Sequence, residues 1–119
     1  MNKLFDILFL DEAFDFLSTL EKKHYEKILY NIRKAQTRLD IELFKKLQDE
    51  IWEFRTQYNG IHYRLFAFWD KTYGENCLVI STHGIIKKTN KVPDSELKKA
   101  KHLRLRYFEE IETKNNKKK

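Results

Sequence analysis

EIWEFRTQYNGIHYRLFAFW, residues 50 to 69, decides the fold. It consists of two runs, EIWEFRTQY (50–58) and IHYRLFAFW (61–69), joined by Asn59-Gly60. Both runs alternate and are rich in aromatic and β-branched residues, as half-buried strands are. Asn and Gly both tolerate positive φ, so the pair predicts a two-residue hairpin turn. If Tyr58 faces Ile61, Arg55 lies opposite Arg64, Gln57 opposite His62 and Glu53 opposite Phe66. Side chains alternate along a strand, so Arg55, Gln57, His62 and Arg64 share one face. Two guanidiniums directly across a ladder repel each other. The fold gains nothing from them unless an anion or a carboxylate stands between. One reading is a solvated polar face with an exposed Glu53–Arg55 pair, worth about 0–1 kcal/mol. The other is a phosphate clamp, because two arginines grip a phosphodiester through several charge-assisted bonds.

Outward from the hairpin, residues 3–10 (KLFDILFL) read as a strand. Asp11 then caps a helix carrying Phe14, Leu17 and Leu20, with Glu12 and Asp15 at its positive end. A second helix runs from Tyr25 to Leu39, with Ile28, Leu29, Ile32 and Ala35 on its apolar face. Residues 41–48 (IELFKKLQ) read as a connection with a helical turn. Beyond the hairpin, a looser turn (KTYGEN) leads to a third run, CLVISTH (77–83). The first strand joins the sheet from the far end of the sequence order. Next come the basic turn of HGIIKKTNKVPDSEL (83–97), with Lys87, Lys88 and Lys91, and the single proline, Pro93. A last helix carries Leu97, Ala100, Arg104, Tyr107 and Ile111. The order is β-α-α-β-β-β-α, an α+β fold whose mainly antiparallel, twisted sheet packs against two N-terminal helices, with a C-terminal helix.

The chain of 119 residues fits one domain over 1–113, with 114–119 as a flexible lysine-rich tail. One cysteine excludes an internal disulfide, and Cys77, in the apolar run CLVI, is expected to be buried. There is no membrane-length apolar run and no signal-peptide pattern, so a cytoplasmic protein with no membrane partner is expected. The net charge of +6 is uneven: residues 1–59 hold 10 basic and 11 acidic side chains, and residues 60–119 hold 14 and 7. That asymmetry suits an anionic partner, nucleic acid or an acidic protein, or else serves solubility alone. The helix N-terminus after the basic turn also favours phosphate. His24 and His102 lie on charged helical stretches and are expected to be solvated, while His83 ends the third strand. The histidines lack metal-ligand spacing, and no glycine-rich phosphate loop or nucleophile elbow appears. No metal and no cofactor are expected.

The ordered set Lys46-Leu47, Trp52 to Arg55, Gly60 with Tyr63-Arg64, Leu78 to Ser81 and Lys87 to Pro93 resembles the RelE/HigB family of type II toxin–antitoxin toxins, in its phage-derived HigB-like branch. The resemblance covers residues 43–101. It implies a RelE-like fold and a metal-independent endoribonuclease, an mRNA interferase acting on messages on the ribosome. Arg64 matches the arginine of the family's "Y-R" element and would stabilise the phosphate, with Arg55 assisting or supporting the sheet. Lys87 and Lys88 match its basic pair, one of which would reach the phosphate, and Lys91 would hold RNA. For proton transfer His83 is the first candidate. Tyr63 and His62, both also potential RNA contacts, remain open together with Tyr107. The family commonly has threonine at the position of Val92, which cannot cap a helix as threonine can; Asp94 or Ser95 would cap instead. A cognate antitoxin, a HigA-like helix-turn-helix protein forming a toxin–antitoxin hetero-oligomer, is the implied partner. The alternatives are a ParE-like inhibitor of DNA gyrase, which shares the fold, and a plain basic nucleic-acid-binding domain.

Overall fold

The Asn-Gly hairpin forms in the expected register. In a computed structural model describing residues 3–72, 74 and 77–117, Arg55 pairs with Arg64, Gln57 with His62, Glu53 with Phe66 and Tyr58 with Ile61. Asn59 (φ 51) and Gly60 (φ 75) both take the left-handed conformation that a tight hairpin turn requires. Part of the KTYGEN turn (residues 73, 75 and 76) lies outside the described residues.

The elements in chain order are β1 (Asp6–Phe9), α1 (Asp11–Ser18), α2 (Lys22–Thr37), β2 (Phe44–Gln48), β3 (Ile51–Tyr58), β4 (Ile61–Asp70), β5 (Leu78–Lys87) and α3 (Asp94–Lys117). They form a five-stranded sheet of order β1-β5-β4-β3-β2. Among the described residues, only β1 and β5 pair in parallel; the other neighbours are antiparallel. The fold class is the expected one, with one more strand. β5 is also longer than expected, so His83 lies within it rather than at its end.

The extra strand corrects the reading of residues 41–48 as a connection. A helical turn does occur there, with Leu43 and Phe44 N–H donating to the Asp40 carbonyl, but β2 follows at once. Its turn into β3 is Asp49-Glu50, both at positive φ (48 and 68). Neither residue carries the glycine or asparagine signal that marks such a turn, so sequence periodicity alone could not find it.

β4 is central, and every residue from Tyr63 to Phe68 is buried, because both faces of the sheet are covered. On one face Tyr63, Leu65, Ala67, Phe54 and Val79 pack with Ala13 and Leu17 of α1 and Ile28, Ile32 and Ala35 of α2. On the other, Ile51, Phe66, Phe68 and Ile80 pack with Leu97 and Ala100 of α3. Val92 joins this second core instead of capping α3. At α1 the N-cap position is Leu10, not Asp11, with no side-chain cap bond. α3 continues to Lys117, so the helix takes in most of the stretch expected as a tail; residues 118 and 119 lie outside the described residues.

Glu50 in the left-handed region carries a backbone cost of about 1–2 kcal/mol that glycine escapes. Its ion pair with Lys46 (3.6 Å) is exposed on both sides, so losing it costs little. Glu50→Gly is therefore expected to stabilise the fold by about 0.5–1 kcal/mol after the entropy cost of glycine, read as a higher urea midpoint at unchanged slope.

Candidate functional site

α3 covers the sheet over Phe66 and Phe68 and leaves the hairpin end of that face open. There Arg55, Gln57, His62, Arg64, Lys87 and Lys88 line a groove of about 380 Å³. The register brings them together: His62 lies opposite Lys87 and Arg64 opposite both Ile85 and Arg55. His62 is exposed at its mouth, and Arg64, 3% exposed, lies deep in it.

The carboxylate that the arginine pair requires is Glu53. It is 4% exposed, so the expected solvated ion pair is buried on its Glu53 side, while Arg55 is half-buried. Glu53 Oε1 lies 3.4 Å from Arg64 Nε, and Oε2 lies 3.7 Å from Arg55 Nε. Arg64 Nη1 also donates to the Tyr63 carbonyl at 2.9 Å. The Nε atoms of both arginines and Glu53 Oε1 are buried and have no hydrogen-bond partner among the described residues. Buried charged groups left this way are costly; an arriving oxyanion would accept from the guanidiniums, while the carboxylate oxygen needs a donor such as water. Burial pushes the Arg64 guanidinium below the usual arginine range, with Glu53 opposing and Arg55 adding to the shift. Lys87 is likewise pulled below the usual lysine range, by partial burial first and then by Arg64; Glu53 opposes, while Arg55 and Lys45 reinforce it.

A second groove adjoins the first and shares Arg55, Lys87 and Asn90 with it. Lys45, Lys46, Glu53, Lys91 and Asp94 are among its lining. Lys45 and Lys46 carry the basic surface onto β2, a contribution hidden from the sequence reading because that stretch was not expected to be a strand. Lys91 thus faces the second groove, while Lys87 stands between the two.

Other expected site residues lie elsewhere. His83 lines neither groove. It is buried in β5 against Phe66, with Nδ1 2.9 Å from Thr82 Oγ1 and Nε2 3.3 Å from Glu96 of α3. Burial and Lys99 hold its imidazole below the usual histidine range, against the pull of Glu96. Tyr63 points to the opposite face, where its hydroxyl lies 2.7 Å from His24 Nδ1. His24 is therefore buried, not solvated, whereas His102 is exposed as expected. Tyr107 donates to Asp70 at 2.6 Å, at the far end of β4. Cys77 is exposed, against expectation, because it precedes β5. Among the described residues, no group of three or more His, Cys, Asp or Glu is placed to hold a metal ion, and no helix is long and apolar enough to cross a membrane.

The chain matches the family model for the phage-derived Gp49-like protein over residues 15–105. No curated protein matches it. The chain belongs to this Gp49-like family, which is part of the RelE/HigB-like toxin family of toxin–antitoxin systems, and an antitoxin partner goes with that membership in general.

An anion in the groove favours the charged form of Lys87, so binding raises its depressed pKa. Sulfate keeps its charge through the alkaline range and isolates this effect. Its affinity is expected to fall as pH rises through the lowered Lys87 pKa, before the ordinary lysine range near ~10.4 is reached. Lys87→Arg should bind with little pH dependence over that interval, as followed by calorimetry.

Proposed function

We propose that this toxin is a HigB-like endoribonuclease that cleaves messenger RNA, on the ribosome, by attack of a 2′-hydroxyl on the adjacent phosphodiester. The observation that carries this reading is the cluster of Arg55, Arg64 and Lys87 lining an open groove, with the buried, under-bonded Glu53 carboxylate beside the two arginines on the side of the second groove.

The chemistry asks for few parts. The 2′-oxygen bonds to phosphorus as its proton passes to a base. The bond from phosphorus to the 5′-oxygen breaks, and that oxygen takes up a proton. The products are a 2′,3′-cyclic phosphate and a 5′-hydroxyl end. Negative charge builds on the phosphoryl oxygens in the transition state, and preorganised cations stabilise it there. Arg64 and Arg55 serve this role, with Lys87 from the facing strand. Lys88 and Lys91, with Lys45 and Lys46, hold the flanking backbone by charge, which makes binding salt-dependent.

For proton transfer the geometry favours His62, which shares the groove with Arg64 and Lys87. His83 instead sits beneath α3, where its contacts serve docking of that helix. The requirement for a 2′-hydroxyl makes the enzyme selective for RNA over DNA. The partner that silences it is a HigA-like helix-turn-helix antitoxin.

The test is a translating extract given purified protein and a defined message, with new 5′ ends mapped. Wild type should generate 5′-hydroxyl ends. Arg64→Ala should lower cleavage by about 10²–10³-fold, the usual loss for one transition-state donor, while still binding antitoxin. Full activity in Arg64→Ala would sink the reading. An intact message with wild type would point to the ParE-like alternative, checked by gyrase supercoiling.

A further inference from the structure

Glu53 is an odd residue to find in a phosphate site. It is buried, it is negative, and it stands beside the two arginines that would grip the substrate. A carboxylate there repels a phosphate, and a bidentate arginine–carboxylate pair would occupy the edge a phosphate needs. The geometry avoids the second problem. Each oxygen faces a different guanidinium, at 3.4 and 3.7 Å, and neither contact is a hydrogen bond. The carboxylate therefore supplies charge and position without saturating the donors. It approaches both arginines from the side of the second groove, whose lining includes it, whereas Arg64 opens to the first.

The charge count gives this arrangement a purpose. Arg55, Arg64, Lys87 and Lys88, which line the first groove, against Glu42 in the same lining and Glu53 beside the arginines leave a surplus of two positive charges. A phosphodiester carries one negative charge. After the 2′-hydroxyl has given up its proton and bonded to phosphorus, the phosphorane carries two. We infer that Glu53 is a positioning and charge-setting residue, which matches the site to the doubly charged transition state rather than to the singly charged substrate or cyclic product. The inference rests on the ribonuclease reading for the identity of the substrate, though not for the existence of the anion site. Without the carboxylate the surplus rises to three, and the extra attraction falls on substrate and product as well. Binding that is equally strong in both states lowers KM without raising kcat.

Two measurements on Glu53→Gln decide it. The first is equilibrium binding of sulfate and of a short 2′-O-methyl RNA, which cannot react. Removing a buried like charge should tighten both by about tenfold. The second is cleavage in the translating extract. KM should fall with the tighter binding, while kcat drops by about 10–100-fold as the arginines lose their fixed geometry. Glu53→Asp keeps the charge and shifts its position, so it should bind sulfate as wild type does but remain slow. If Glu53→Gln does not fold, Glu53→Asp decides, and a wild-type kcat in that variant overturns the proposal. Unchanged or weaker sulfate binding in the folded variant overturns the proposal, as does a wild-type kcat in Glu53→Gln. If wild type cleaves no RNA, the ribonuclease reading fails on its own, and the sulfate titration still decides whether Glu53 sets the charge of the site.

Discussion

Like charges held opposite each other across a β-ladder need a counter-charge, and this structure is organised around that need. Arg55 and Arg64 face each other in the central hairpin because the Asn-Gly turn leaves no other register. Glu53, two residues before Arg55 on the same face, divides its carboxylate between them. The result is partial neutralisation: the charges are held in place while their hydrogen-bonding capacity is left open. A fully paired arrangement would be more stable and unable to take another anion.

The sheet's burial serves the same end. β4 is covered on both faces, by α1 and α2 on one and by α3 on the other, and this rigid centre fixes Arg64 from below. α3 then stops short of the hairpin end, so one face is a core near Phe66 and Phe68 and a basic groove near His62 and Arg64. Sites built on strands hold their side chains closely, because packing leaves few rotamers open. The basic turn after β5 adds Lys88 and Lys91, positions where looser control suffices to hold a backbone by charge.

Some residues that carry promising chemistry are occupied with holding the layers together. His83 joins β5 to α3 through Glu96, Tyr63 joins β4 to α2 through His24, and Tyr107 joins α3 to β4 through Asp70. Each looked eligible from residue type alone. What separates them from His62 is the surface they meet, since a histidine or tyrosine already paired in the interior has no substrate within reach.

The sequence by itself determined the hairpin, its register, the shared face of Arg55, Gln57, His62 and Arg64, the two N-terminal helices and the basic turn. These follow from local rules: the positive φ that Asn-Gly accepts, the two-residue alternation of strands and the spacing of apolar residues on helices. Only the tertiary structure decided that residues 44–48 form a strand, that Glu53 and His24 are buried, that Cys77 is exposed and that His83 lies under α3. Burial is a property of what covers a residue, and the covering elements come from distant parts of the chain. Glu53 shows the difference most plainly. Its face was legible from alternation, but its solvation depended on β2, the basic turn and the start of α3 closing around it.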